Sequence, residues 1–152
     1  MSQQVKINNI LHNYKVIAVV GLSKDPEKAS FQVAFYLKGH GYKIIPVNPT
    51  AEKILGEKSY KSLLDIPVKL QKTIEIVDVF RKPEEVPQVV EQSIKLKQLY
   101  GKPFVIWMQY GAVNKEAAKL AEKEGLIVVA DECIMKKHRG LNKIKKNDNS
   151  NA

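Results

Sequence analysis

Two polar loops near the start of the chain carry residue types that can bind a phosphate. The first follows the apolar run Val16–Val20 and begins with Gly21, where the backbone can turn sharply and approach a ligand closely. If a helix starts after this loop, its first N–H groups and its dipole favour an anion. A plain strand-to-helix turn with solvated lysines remains an equal alternative for this loop alone. The hydroxyls and cations at hand are those of Ser23, Lys24, Lys28 and Ser30.

The second loop is a rigid corner that follows the apolar run Lys43–Val47. Prolines fix the backbone on both sides of Val47 and Asn48, since Pro46 and Pro49 flank them. A dinucleotide site needs a G-x-G-x-x-G turn and an acid at the end of the second strand. This chain offers one glycine and a neutral amide instead, and it has no G-x-x-x-x-G-K-[ST] sequence. Binding of NAD and hydrolysis of ATP are both disfavoured.

Two later loops supply further candidate binding residues. Phe80 can form an apolar wall, and Arg81 can reach a phosphate with its forked donors. A core aromatic followed by a surface arginine is the alternative for this pair. Gln109 is the polar group that we expect to face the cleft, and Gly111 opens the loop beside it.

A catalytic constellation is not visible in the sequence. His12, His40 and His138 lie far apart without metal-ligand spacing, and His40 is expected to be an exposed residue at a helix end. Asp78, inside an apolar run, is interpreted as a hydrogen-bonded structural carboxylate that braces a loop rather than as a general base. Cys133 is either a small packing residue or, if lysines lower its pKa, a reactive thiol.

These loops are positioned by alternating strand and helix patterns. Short β-branched runs predict buried parallel strands at 16–20, 43–47, 74–80, 104–108 and 126–130. Helical patterns are predicted at 3–13, from 31 to about 39, from 83 onwards, and between an N-cap at Asn114 and a stop at Gly125. The pattern predicts an α/β, Rossmann-like doubly wound sheet of about five parallel strands with helices on both faces. Ligands of such sheets bind beyond the carboxyl ends of the strands, where the strand order reverses.

The chain is expected to form a single domain over residues 1–141, followed by a basic, polar and disordered tail over 142–152. The formal charge is +9, but six of the 25 basic residues and one of the 16 acidic residues fall within 136–152. The rest of the chain therefore carries about +4, and this charge does not indicate a nucleic-acid partner. No apolar run is long enough to span a membrane. A single cysteine and an N-terminus without an apolar leader predict a cytoplasmic protein.

Taken in order, the loop motifs resemble those of the small stand-alone CoA-binding domain family, which is similar to the CoA-binding domain of succinyl-CoA synthetase. The resemblance covers about residues 17–141 and implies a Rossmann-like domain that binds coenzyme A (CoA) or an acyl-CoA across the switch point. The matching segments are Val20-Gly-Leu-Ser-Lys-Asp-Pro-Glu-Lys-Ala-Ser-Phe31, Gly41-Tyr-Lys-Ile-Ile-Pro-Val-Asn-Pro49, Val77-Asp-Val-Phe-Arg81, Val105-Ile-Trp-Met-Gln-Tyr-Gly111 and Val128-Val-Ala-Asp-Glu-Cys133.

Carried onto this sequence, the resemblance implies a role for each loop. Gly21, Ser23 and Lys28 would hold the phosphates of CoA. The adenosine would be bordered by Val47, Asn48 and Pro49, beside a wall of Phe80 and Arg81. Gln109 and Gly111 would lie towards the pantetheine.

Two positions depart from the family pattern. Glu132 stands where an arginine is expected, and Lys137 stands where a glutamate usually precedes the His-Arg pair. An exchange of charge between these adjoining segments would preserve a pairing in the reversed sense.

Three functions remain open at this point. The first is a non-catalytic module that binds, senses or delivers CoA, with either a homo-oligomer or a partner enzyme as its context. The second is an enzyme or redox protein that acts on CoA, for example by thiol-disulfide exchange at Cys133. The third and weakest is nucleic-acid binding through the basic tail.

Overall fold

A computed structural model describes residues 2–141, and five parallel strands run through its centre. Within these residues, two short 3-10 turns lie at Leu63–Asp65 and Pro83–Glu85. In chain order the elements are α1 (Gln3–Asn13), β1 (Val16–Val20), α2 (Ala29–Gly39), β2 (Lys43–Val47), β3 (Lys53–Ile54), β4 (Glu57–Lys58), α3 (Val68–Gln71), β5 (Ile76–Val79), α4 (Val86–Tyr100), β6 (Val105–Met108), α5 (Lys115–Lys123), β7 (Ile127–Ala130) and α6 (residues 134–141).

The strand order of the large sheet is β2-β1-β5-β6-β7, and every pairing in it is parallel. The chain runs outward from β1 to β2, then crosses back to add β5 on the other side of β1. The order therefore reverses between β1 and β5, which makes their carboxyl ends the switch point. This arrangement confirms the predicted α/β doubly wound fold. The strands predicted at 74–80, 104–108 and 126–130 are one to three residues shorter in the structure.

Helices cover both faces of the sheet and divide the core in two. One apolar cluster packs α4 and α5 against the sheet, and it includes Val86, Val90 and Ala121. The other packs α1, α2 and the start of α6 against the opposite face, and it includes Trp107 and Cys133. Both faces are thereby shielded from water, as a parallel sheet with apolar strands requires.

The predicted helix boundaries agree closely with the structure where a capping residue marks the end of the helix, as in α5. The Asn114 side chain accepts a hydrogen bond from the Ala117 N–H at 3.0 Å, which confirms it as the N-cap of α5. Gly125, with φ of +88°, follows the end of that helix. The helix predicted from Pro83 begins as a 3-10 turn, and α4 proper begins at Val86.

Three features were not predicted: the β3–β4 hairpin, the short helix α3 with the 3-10 turn before it, and α6. The β3–β4 hairpin consists of two-residue strands, which are too short to show a periodic pattern. The helix α6 follows β7 after only three residues. No helix among residues 2–141 is long and apolar enough to cross a membrane. The tail expected at 142–152 lies outside the described residues.

Candidate functional site

A groove crosses the carboxyl edge of the sheet at the switch point. It comprises three adjoining depressions of about 220, 470 and 680 Å³. The smallest shares Pro49 and Lys61 with the largest, and it shares Arg81 and Glu85 with the third. We call these three depressions together the switch-point groove. Its wall residues from the predicted set are Gly21, Val47, Pro49, Phe80, Arg81 and Gly111.

Gly21 lies where β1 and β5 meet, and its position requires a glycine. Its φ is +87°, and its N–H donates to the Val47 carbonyl at 2.9 Å. A Cβ added here would overlap the Phe80 carbonyl oxygen and lie 2.8 Å from the carbonyl carbon. The sequence predicts that the backbone at Gly21 approaches a ligand closely. In the structure it approaches the backbone of Phe80, at the end of the neighbouring strand.

Asn48 ties the loops after β1 and β2 together through its side chain. The amide nitrogen donates to the Leu22 carbonyl at 2.9 Å. The amide oxygen accepts from the N–H groups of Thr50 at 2.8 Å and Ala51 at 2.9 Å, and from the Thr50 hydroxyl at 3.2 Å. Because both ends of the amide already have protein partners, Asn48 shapes the wall of the groove by fixing two loops.

The loop from Ser23 to Ser30 is held by its own hydrogen bonds. The Ser23 N–H donates to the Ser30 hydroxyl oxygen at 3.0 Å, and the Ser23 hydroxyl oxygen accepts from the Asp25 N–H at 3.0 Å. Lys24 and Lys28 are exposed. No residue between Ser23 and Ser30 lines the groove, although Gly21, two positions before this loop, does. No side chain caps the N-terminus of α2, which follows Lys28. The structure thus separates this loop from the rest of the predicted set.

Arg81 lies in the middle of the groove, paired with an acid. Its guanidinium forms an ion pair with the Glu85 carboxylate one helical turn later, and both side chains are about one-third exposed. Phe80 is half-buried and packs against the α1–α2 side of the core. An anionic ligand can replace the Glu85 carboxylate as the partner of the Arg81 guanidinium, which the ion pair already holds in the groove.

Gln109 does not face the groove, contrary to the expectation from the sequence. Its side chain is 3% exposed, and its amide oxygen accepts a hydrogen bond from the Ile134 N–H at 3.1 Å. The glutamine therefore fixes the start of α6, where an N–H would otherwise be unsatisfied. Gly111, with φ of +77°, lines the 470 Å³ depression beside Tyr110.

Several groove residues were missed, and those beside the β2 edge come from short, irregular segments. Tyr60 makes an isolated parallel bridge to Val47, with hydrogen bonds to Pro46 and Asn48, and so extends the β2 edge. This bridge brings Lys61 beside Pro49. The bridge leaves no period in the sequence, so only the lysine content of the segment could have signalled it. The missed residues include Lys53, Lys58, Lys61, Ser62, Gln88 and Tyr110.

Asp78 is completely buried in the middle of β5, in register with Val19 and Trp107. Neither carboxyl oxygen has a hydrogen-bond partner among the described residues, so the expected bracing hydrogen bond is absent and that interpretation is wrong. Burial raises the pKa of the Asp78 carboxyl well above its ordinary value. A neutral, protonated carboxyl is the form that this environment favours.

The other candidate chemical groups lie away from the groove. The Cys133 side chain is 5% exposed within the apolar cluster beneath α2 and α6. His40 is exposed at the end of α2, as expected, and its ring lies 5.3 Å from the ring of His138. Among residues 2–141 no cluster of three or more metal-ligating side chains is present.

Glu132 and Lys137 form an ion pair with 3.3 Å between Lys137 Nζ and a Glu132 carboxylate oxygen. This contact confirms the pairing expected from the exchange of charge at these two positions. It links the loop after β7 to α6.

Comparison with known proteins finds similarity to a family of CoA-binding domains and to CoA ligases. The sequence model of the family described as CoA binding domain matches residues 15–139. The chain is 39% identical over 135 residues to "Uncharacterized protein YneT" of Bacillus subtilis, which covers 89% of this chain and 93% of that protein. It is 34% identical to the ADP-forming acetate–CoA ligase II of Archaeoglobus fulgidus and 31% identical to the corresponding alpha subunit of Pyrococcus furiosus. These alignments cover 74% and 86% of this chain but span only 17% and 29% of the two ligases.

Solved structures show the same architecture. A hypothetical protein from Pyrococcus horikoshii OT3 is 45% identical with a TM-score of 0.83, and 92% of each chain is covered. A protein from Thermus thermophilus, described as cell-free ID.343, is 33% identical with a TM-score of 0.81. That match covers 92% of this chain and 99% of the other.

Proposed function

The chain belongs to the CoA binding domain family, and on that premise we propose that it binds CoA or an acyl-CoA in the switch-point groove. We further propose that it does so as a non-catalytic binding, sensing or delivery module. The observation that carries the proposal is the continuity of the groove, which runs from the β3–β4 hairpin past Gly21 to Gly111.

The chemistry along the groove is suited to the successive parts of CoA. At one end Lys53, Lys58 and Lys61 can face phosphate groups, and Arg81 can do so at the centre. The stiff apolar wall of Val47 and Pro49 is suited to the face of an adenine ring. The depression beside Tyr110 and Gly111 leaves room for the uncharged pantetheine arm.

Binding without turnover is the simplest role that these residues support. The chain spans less than a third of the two ligases to which it is similar, so their activity is not carried over to it. Cys133, the one thiol of the chain, is buried and does not line the groove. The unpaired thiol is consistent with a reducing compartment, and we therefore propose that the protein works in the cytoplasm.

Isothermal titration calorimetry and thermal unfolding test this proposal directly. CoA should bind with one site per chain, and at 100 times Kd it should add about 2.7 kcal/mol to the free energy of unfolding. Lys61→Gln should weaken binding about tenfold or less, since one exposed cation is lost. Lys119→Gln serves as its control, because Lys119 is also exposed and lies on α5 outside the groove.

Two results would contradict the proposal. One is the absence of both heat and stabilisation with millimolar CoA and with acetyl-CoA. The other is equal loss of affinity in Lys61→Gln and Lys119→Gln, which would show that only the overall charge matters.

A further inference from the structure

A second depression lies between α2 and α6, on the side of the sheet covered by α1 and α2. Its volume is about 570 Å³, which is within the range of small-molecule sites. None of its lining residues is shared with the switch-point groove. We call it the α2–α6 cavity, and its lining consists of Pro26, Phe31, Gln32, Phe35, Tyr36, Gly39, His40, Met135 and Arg139.

Aromatic side chains form one wall of this cavity. Phe31 and Phe35 lie one helical turn apart with nearly parallel rings, whose centroids are 6.4 Å apart. Phe35 is 65% exposed, the largest exposure of any large apolar side chain in the described part of the protein. An exposed phenylalanine beside a concave apolar surface is characteristic of a site that another molecule covers.

The neighbouring part of the wall is held in place before any ligand arrives. The Tyr36 hydroxyl shares a hydrogen bond of 2.7 Å with His138 Nδ1, and the Tyr36 ring stacks on His40 at 3.9 Å. The Arg139 guanidinium lies 5.1 Å from the centroid of the same ring. Because these contacts fix the tyrosine from several sides, little side-chain entropy remains to be lost when a molecule packs against it.

The charged group in the lining of the cavity is a cation, Arg139. No lining residue is acidic, and Arg139 has no carboxylate within 4.0 Å among residues 2–141. A guanidinium that lies on an aromatic face and has no acidic partner in the described part of the chain is well suited to an organic anion, because its forked donors match a carboxylate or sulfonate. A second copy of this chain would have to bring another Arg139 to the same surface in a twofold contact, which is electrostatically unfavourable.

We propose that the α2–α6 cavity binds small organic anions that have a flat apolar body and one carboxylate or sulfonate group. The body packs on Phe31 and Phe35, and the anionic group lies against Arg139. This site is separate from the switch-point groove, and its occupation does not depend on CoA.

Two fluorescent probes test the proposal in the full-length chain. The first is 1-anilinonaphthalene-8-sulfonate, which has a flat apolar body and a sulfonate. The second is N-phenyl-1-naphthylamine, which has nearly the same body without the charge. We expect Arg139→Gln to weaken binding of the sulfonate about tenfold and to leave the neutral probe unchanged. Phe35→Ser should weaken both probes, whereas Leu99→Ser, a similarly exposed residue on α4, should weaken neither.

Three results would overturn the proposal. The first is sulfonate affinity that Arg139→Gln and Phe35→Ser both leave unchanged. The second is displacement of the sulfonate by CoA, which would locate the probe in the switch-point groove. The third is a dimer that dissociates in Phe35→Ser during sedimentation, which would assign the cavity to a second copy of the chain.

Discussion

The backbone of Gly21 packs directly against the carbonyl group of Phe80, so that no side chain fits between the ends of β1 and β5. The two residues are 59 positions apart in the sequence and meet only because β5 pairs with β1. This contact fixes the distance between the two loops that form the centre of the switch-point groove.

Replacing Gly21 by alanine tests this contact. Gly41→Ala is the matched control, because Gly41 has nearly the same φ of +90° but no heavy atom near an added Cβ. The control should lose about 1–2 kcal/mol of unfolding free energy from its left-handed backbone alone. Gly21→Ala should lose roughly 2 kcal/mol more, since the backbone at Phe80 must also move. Equal losses in urea denaturation would show that the packing is not tight.

Asn48→Ala removes the amide that joins the loops after β1 and β2. We expect a loss of about 1–3 kcal/mol in unfolding free energy, since the Leu22 carbonyl and two N–H groups lose their partner. CoA affinity should fall as well, because the wall of the groove is no longer fixed. Ser2→Ala, which removes the N-cap of α1 far from the groove, should cost about 1 kcal/mol without affecting CoA binding. Calorimetry and urea unfolding separate the two effects, and unchanged CoA affinity in Asn48→Ala would contradict the bracing role.

Asp78 should make stability depend on pH. Burial raises the pKa of its carboxyl in the folded chain above the value in the unfolded chain. The folded protein therefore keeps a proton that the unfolded chain releases above about pH 4, and stability falls as the pH rises until it passes the folded pKa. In Asp78→Asn this loss should be absent. The free energy of unfolding of the variant should therefore rise, relative to that of the wild type, by up to about 1.4 kcal/mol per pH unit within that window.

Unfolding by urea at successive pH values between 4 and 8 measures this effect. Asp131→Asn is the control, because Asp131 is exposed and asparagine tolerates its φ of +60°. A constant difference between wild type and Asp78→Asn across the range would contradict the buried, protonated carboxyl.

Cys133 should react slowly in the folded protein, because its side chain is 5% exposed and surrounded by apolar residues. Incubation with oxidised CoA should leave the mass of the native chain unchanged, and a CoA-sized gain should appear only after unfolding in urea. Cys133→Ser supplies the control without a thiol. A rapid gain by the native chain, absent from this variant, would instead favour the thiol-exchange function.

The sequence was sufficient for the fold because the strands are encoded locally. Runs such as Val16–Val20 are entirely apolar and rich in β-branched residues, and glycines and prolines mark where they end. The N-cap at Asn114 was predictable for the same reason, since its partner is only three residues away.

The site was less predictable because its contacts are long-range. Gln109 could not be assigned from its own segment, since its partner Ile134 lies 25 residues later in a helix that showed no clear pattern. Asp78 was expected to have a hydrogen-bond partner because most buried polar groups do, and only the packed core shows otherwise. Lys61 reaches the groove through the single bridge between Val47 and Tyr60.

The position of β1 between β2 and β5 also determines when a binding surface can exist during folding. The first 54 residues contain β1, β2 and the loop with Gly21, but they lack the strand that completes the groove on the other side. The longer part of the chain that follows the β3–β4 hairpin contains Arg81 but lacks the first wall. Neither part can therefore present the surface alone, and ligand binding becomes a direct report that the long-range pairing of β1 with β5 has formed.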